Sequence, residues 1–375
     1  MSGLYLHIPF CRKACHYCNF HFSTTARYQD RMIQAMVREM DLQQNYLNDQ
    51  LETVYLGGGT PSILTFDQLE KLFKAIRSQF SFSSHPEITM EANPDDVSAE
   101  SIAFWAALGI NRLSLGIQSF LQQELSWMNR VHRADQCFEA IRLAKAGGLV
   151  NLNIDLIYGL PGSTLESWSG NLDHFFRLDL PHLSAYALTV EPKTALSGMI
   201  RKRKMEAPDE GLSRSQFLHL LERTESKGYL NYEISNYARP GALARHNTAY
   251  WQGVPYLGIG PSAHSYNGHS RQWNIAHNIR YMDTIEGGQV PCELEHLTPE
   301  KKYNEWVMTA LRTQWGCLRR DLARFDLVFQ NHFTDCMRPW LERQLIVEKS
   351  DAFILSTQGK LWADRISSDL FYLEE

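Results

Sequence analysis

Six short β-branched and apolar runs, separated by helical patterns, constrain this chain most. They cover residues 4–8, 53–56, 88–91, 112–117, 150–157 and 183–188. Between them, Met32, Ile33, Met36, Val37 and Met40 recur at helical spacing, as do Leu69, Leu72, Phe73 and Ile76. Strands alternating with helices imply βαβ units and a parallel sheet. Six such units predict an α/β fold, a curved and incomplete (β/α)6 relative of the (β/α)8 barrel. A barrel of this kind builds its site at the C-terminal ends of its strands.

Polar residues fall where such a site needs them. Gly57-Gly-Gly-Thr-Pro61 follows the second run, and Glu91 ends the third in Met90-Glu-Ala-Asn-Pro94. Gln118 ends the fourth, and Asp155 lies in the fifth, in Asn153-Ile-Asp-Leu-Ile-Tyr-Gly-Leu-Pro161. Such residues at successive strand ends point to a converging site rather than a structural sheet.

Just after the first run stands Cys11-Arg-Lys-Ala-Cys15-His-Tyr-Cys18, a C-x3-C-x2-C spacing with no fourth ligand beside it. Structural zinc takes four ligands, usually as two pairs. Three thiolates suit a [4Fe–4S] cube in which one iron stays open to a non-protein ligand. The other four cysteines, Cys137, Cys292, Cys317 and Cys336, are scattered singly and read as small hydrophobes. Seven cysteines without a pairing pattern suit a reducing compartment, and no signal-peptide pattern precedes the motif. The expected location is the cytoplasm.

A net charge of −5 gives no basic footprint for nucleic acid. No apolar run approaches the roughly 18 residues that span a bilayer. Residues 1–190 are expected to form the barrel, and 191–290 an irregular connector rich in Pro, Gly, Asn, Tyr and His. Residues 291–375 are expected to form a small winged-helix-like unit of three helices, two short strands and a last helix. That unit carries more Asp and Glu than Lys and Arg, which argues against DNA binding.

Together these motifs resemble the radical SAM superfamily. The phrases Tyr5-Leu-His-Ile-Pro-Phe-Cys11, Gly57–Pro61 and Asp155–Pro161 resemble its oxygen-independent coproporphyrinogen III oxidase-like branch, and within it the HemW-like haem chaperones. The last 85 residues then correspond to the HemN_C-type domain of that branch. The resemblance implies that Cys11, Cys15 and Cys18 each ligate one iron of a [4Fe–4S] cluster. It implies that S-adenosylmethionine binds the fourth iron, with Tyr5 and Tyr17 flanking cluster and cofactor. Gly58, Gly59 and Thr60 would contact the cofactor's amino-acid part. Glu91 and Asp155 would accept from its ribose or ammonium, and Gln118 and Arg130 would complete the polar pocket. Ala187 and the 258–263 segment would line the adenine side.

Two departures from the oxidases matter. They carry a further cysteine two residues beyond the third, where this chain has Phe20, and an arm ahead of Tyr5, where it has four residues. In contrast, His246-Asn-Thr-Ala-Tyr-Trp251 matches the HNxxYW motif of the haem-chaperone members. His246 is therefore the first candidate haem ligand and His264 the second; His7 is a third, expected to be structural. The implied function is a carrier that binds haem and passes it to an acceptor protein, membrane-bound respiratory haem proteins included. The alternative is oxidative decarboxylation of coproporphyrinogen III.

Overall fold

The computed structural model describes residues 2–373. Its first six strands are β1 (Ser2–Ile8), β2 (Leu51–Gly58), β3 (Phe82–Ala92), β4 (Arg112–Gln118), β5 (Leu152–Tyr158) and β6 (His182–Ala187). All neighbours in that series pair in parallel. Helices cross over between them, the first two being Gln29–Leu42 and Phe66–Gln79. The second is fixed at its start by a capping box, in which the Thr65 hydroxyl accepts from the Gln68 N–H and the Gln68 side chain returns the bond.

Side-chain parity explains how the sheet is used. Successive residues of a strand face opposite sides. Leu4, Leu6 and Ile8 of β1, Val54 and Leu56 of β2, Leu113 and Leu115 of β4, and Ile154 and Leu156 of β5 are all buried in the main hydrophobic core. Their alternates are polar and face the lumen: Tyr5 and His7, Tyr55, Glu91, Arg112 and Ser114, Asn153 and Asp155, Ser184 and Tyr186 all line one cavity. A barrel used only as scaffold fills its interior with branched apolar side chains. This one keeps a polar interior, and so a binding space.

The expectation of an irregular connector is corrected by the structure. Residues 191–290 hold β7 (Leu230–Glu233), β8 (Asn236–Ala238), β9 (Tyr256–Ile259), β10 (His264–Tyr266) and β11 (Ser270–Asn274), with four helices between and beside them. β8 adds antiparallel to β6, and β9 adds in parallel to β1, so the segment extends both edges of the sheet. β12 (Cys292–His296) pairs with β11 and carries the same sheet past residue 290. The twelve strands run β12-β11-β10-β9-β1-β2-β3-β4-β5-β6-β8-β7. These added strands are only three to five residues long and carry polar and aromatic residues, so they leave no apolar run to read.

The last part of the chain has its own core, built on Tyr303, Val307, Phe329, Phe333, Met337 and Trp340. Its helices Pro299–Leu311 and Leu327–Glu342 pack with a three-stranded sheet of β13 (Cys317–Leu318), β14 (Ile346–Lys349) and β15 (Ala352–Leu355). The expected three helices and two-stranded wing are present, with β13 as an addition. Arg312 and Asp364 of this unit form an ion pair and line the mouth of the barrel cavity described below.

Candidate cofactor and ligand site

The structure gathers the three cysteines at the C-terminal end of the barrel, along one wall of a cavity of about 610 Å³. Thr60 and Arg130 brace them. The Thr60 hydroxyl donates to Cys11 Sγ at 3.5 Å, and Arg130 Nη1 to Cys15 Sγ at 3.4 Å. Burial pushes the Cys11 thiol up and the Cys18 thiol up to about 11. Positive metal must then displace protons that burial holds on. Among the described residues no three His, Cys, Asp or Glu side chains are arranged around a single metal ion. Three thiols on one wall suit a cube whose ligands sit on separate irons, the fourth iron being left to a non-protein ligand.

The glycine loop serves close approach. Gly58 has φ +103°, and a Cβ there would lie 2.7 Å from the His7 ring. A Cβ on Gly59 would lie 2.6 Å from the Phe10 carbonyl oxygen, and the Gly59 N–H donates to the Ile8 carbonyl at 2.8 Å. Only glycine lets the end of β2 lie against the end of β1 in this way. Thr60 is thereby carried under Cys11.

Most of the remaining predicted residues meet in the same cavity. Gly58, Gly59, Thr60, Glu91, Gln118, Arg130, Asp155, Tyr17 and Ala187 all line it. Arg130 donates to Asn93 Oδ1 at 2.6 Å and to the Gly116 carbonyl at 2.8 Å. It does not pair with Glu124, whose carboxylate accepts from Ser119 and Asn171. The buried Arg130 Nε and Asp95 Oδ1 have no partner. Arg130 lines the cavity, so a carboxylate bound there meets its need, whereas Asp95 lies outside the lining. Burial pushes the Glu91 carboxyl up to about 7, against the donation of Tyr55 to its Oε1 at 2.7 Å. Gln118 holds φ +65°, a left-handed conformation that ends β4 with a bulge.

Three placements differ from expectation. Tyr5 lines the lumen beneath the cysteine cavity rather than its wall, and its hydroxyl hydrogen-bonds His7 Nδ1 at 3.2 Å. The 258–263 segment lies at the β1 edge and Ala187 at the far one, because β9 pairs with β1 and not with β6. Of that segment only Ser262 reaches a cavity, and it is the lumen. Of the scattered cysteines, Cys137 and Cys317 are buried, whereas Cys292 and Cys336 are half-buried.

The two histidine candidates sit in contrasting surroundings. His246 is 2% exposed. Its Nδ1 hydrogen-bonds Thr53 Oγ1 at 2.7 Å, and its Nε2 hydrogen-bonds the Tyr250 hydroxyl at 2.8 Å. Its ring stacks on Tyr55, and burial, with Arg112 nearby, lowers its pKa to about 3. No ring nitrogen of His246 is free for iron. His264 begins β10, is exposed and lines the lumen cavity; it stacks on Trp273 across the β10–β11 pair and makes no hydrogen bond among the described residues. His7 is fixed between Tyr5 and the His21 carbonyl, the latter at 2.8 Å.

The lumen cavity, about 580 Å³, shares Asn19, Phe20, Gly58, Glu91, Ser114, Asp155 and Tyr186 with the cysteine cavity. The two are neighbouring compartments of one site. Glu39 went unnoticed in the sequence, where it looks like any helical glutamate. Fully buried, it accepts from Gln43, Asn274, Tyr281 and the Gly260 N–H, and ties the first helix to the turn after β9.

A parallel barrel with a three-cysteine loop after its first strand, a Gly-Gly-Gly-Thr turn after its second and polar strand ends defines a radical SAM protein. The Radical SAM superfamily model matches residues 5–174. The relation extends through the whole chain. The haem chaperone HemW of Bacillus subtilis is 33% identical over 371 residues, which is 98% of this chain and 98% of that protein. HemW of Mycobacterium tuberculosis is 34% identical over 370 residues, or 97% and 93%. The chain belongs to the HemW family within the radical SAM superfamily. In structure, the coproporphyrinogen III oxidase HemN from Escherichia coli superposes with a TM-score of 0.86 at 24% identity, covering 99% of this chain and 90% of that one. That likeness establishes a shared fold. No helix among the described residues is long and apolar enough to cross a membrane.

Proposed function

We propose that this chain is a haem chaperone that holds a [4Fe–4S] cluster and S-adenosylmethionine in the cysteine cavity, binds haem beside them, and delivers it to an acceptor protein. The observation that carries the reading is the second compartment. A cavity of about 580 Å³, separate from the cysteine wall yet sharing Glu91 and Asp155 with it, gives a second ligand room next to the cofactor. Full-length relation to HemW supports haem as that ligand.

Cys11, Cys15 and Cys18 would each hold one iron of the cluster. Arg130 would hold the carboxylate of S-adenosylmethionine, and the Glu91 and Asp155 carboxyls would accept from its ammonium and ribose hydroxyls. When bound, cluster and cofactor supply one-electron reductive chemistry. The chain's own groups position them: Thr60 and Arg130 orient the thiolates, and the Arg312–Asp364 pair narrows the cavity mouth. His264 would be the better haem-iron ligand of the two, since its ring is exposed and free of side-chain hydrogen bonds among the described residues, whereas His246 is buried with both ring nitrogens engaged. Phe20, 66% exposed on the shared rim, offers an aromatic face where the oxidases carry a thiol.

The test is an optical titration of anaerobically reconstituted protein with haem, run beside a decarboxylation assay with reductant and S-adenosylmethionine. The reading expects a saturating haem spectrum and no protoporphyrinogen. Turnover of coproporphyrinogen III at about 1 s⁻¹, an ordinary enzymatic rate, overturns it.

A further inference from the structure

We propose that Arg112 holds a carboxylate of a tetrapyrrole at the floor of the barrel lumen. The proposal rests on the haem-binding reading and adds how the ligand is recognised. Arg112 is the first residue of β4 and alternates with the outward Leu113, so its side chain turns into the lumen. It is 2% exposed. Among the described residues its side chain makes neither a hydrogen bond nor an ion pair, and its Nε is buried without a partner. The other arginine of the site, the half-buried Arg130, has three acceptors.

A buried guanidinium without acceptors is costly, and folded proteins rarely keep one. Burial pushes the Asp155 carboxyl up, and Arg112 lies near enough for its charge to work against that shift, but no carboxylate contacts the guanidinium directly: Glu91 is engaged by Tyr55, and Asp155 accepts from Asn153 at 2.7 Å and from Ser114 at 3.4 Å. The Asn247 side chain lines the same cavity with its Oδ1 buried and without a partner, an acceptor that a carboxylate does not satisfy. Asn247 follows His246, whose own hydrogen bonds hold that helix against the floor. The cavity thus presents a five-donor fork at its base, with Tyr5, Tyr55, Tyr186 and Tyr256 on its walls. A flat aromatic ring bearing a carboxylate arm meets both features: the arm takes the fork in a bidentate, charge-assisted bond, and the ring lies along the tyrosines. His246, Asn247 and Tyr250 of the HNxxYW motif then build the floor that the arm reaches, rather than ligating iron.

The experiment compares haem with haem dimethyl ester, whose carboxylates are blocked, on the full-length, cluster-loaded protein and on Arg112→Gln and Arg112→Lys. Wild type is expected to bind the free acid roughly 10- to 100-fold more tightly than the ester, the scale of a charge-assisted hydrogen bond. Arg112→Gln is expected to raise the Kd of the acid to that of the ester while leaving the ester's Kd unchanged. Arg112→Lys should recover part of the difference. Ligand-free Arg112→Gln should melt no lower than wild type and keep its iron, because it loses an unpaired charge. Equal affinity of wild type for acid and ester overturns the proposal without needing any variant. So does an unchanged Kd for the acid in Arg112→Gln, or a lower melting point with loss of iron in that variant, which marks a structural arginine. If no haem binds at all, the haem reading falls separately. Coproporphyrin III, followed by its fluorescence on the same three proteins, then decides the Arg112 assignment: weaker binding to Arg112→Gln upholds it, and equal or absent binding ends it.

Discussion

Replacing Glu39 with alanine tests the packing logic of the sheet edge. Its carboxylate accepts four hydrogen bonds in a fully buried site. Asn274 Nδ2 keeps a second acceptor, the Gly260 carbonyl at 2.9 Å. The Gln43 amide, the Tyr281 hydroxyl and the Gly260 N–H have no other acceptor in the site. An orphaned buried donor costs about 1–3 kcal/mol, and water entering the vacated space restores part of it. Three such donors give a loss of about 3–5 kcal/mol, measured by urea unfolding of the metal-free protein at pH 5. Burial pushes the Glu39 carboxyl up to about 7 from an ordinary 4.5. With the folded value above the unfolded one, the stabilisation is complete below about pH 4.5 and is lost as pH rises through about 7. The gap between wild type and Glu39→Ala should therefore narrow by up to about 3 kcal/mol between pH 5 and pH 8. A loss below about 1 kcal/mol at pH 5, or a gap that widens with pH, refutes the account.

Cys15→Ala should reduce iron after anaerobic reconstitution from about 4 per chain to under about 1, with the far-UV circular dichroism of the barrel unchanged; full iron content would mean the ligand assignment is wrong. Gly58→Ala must place a Cβ at φ +103° against the His7 ring, so unfolding free energy should fall by about 1–3 kcal/mol and cluster loading should drop with it. An unchanged urea midpoint would show that the loop relaxes freely. His264→Ala should weaken haem binding by about tenfold or more in an optical titration, the scale of a lost ligand worth about 1.4 kcal/mol or more. His246→Ala should instead cost about 2–4 kcal/mol of stability, through the stranded Thr53 and Tyr250 hydroxyls and the space left among the rings. The opposite pattern, a stable His246→Ala that no longer binds haem, would return the ligand role to His246.

Residues close together in the sequence carried the part of this protein that could be read directly. The three thiols lie within eight positions, and the glycine turn is contiguous, so their chemistry needs no fold to be seen. The six strands were legible because each is sealed under helices on one face, and that burial writes Leu, Ile and Val into every second position. The polar alternates, Arg112 and Ser114 among them, are written in the same runs, yet only curvature of the sheet turns them onto a shared lumen. The added strands β7 to β12 left no such mark, since strands of three to five residues carrying polar and aromatic side chains leave no apolar run. Tertiary structure alone decided the fate of the histidines. His246 is closed off by Thr53, which lies 193 positions away, and by burial beneath Tyr5 and Tyr55. His264 stays open because it begins its strand with its side chain turned to the lumen, where no polar group among the described residues reaches it. A side chain's availability to a ligand depends on which distant groups reach it first, and local spacing does not encode that.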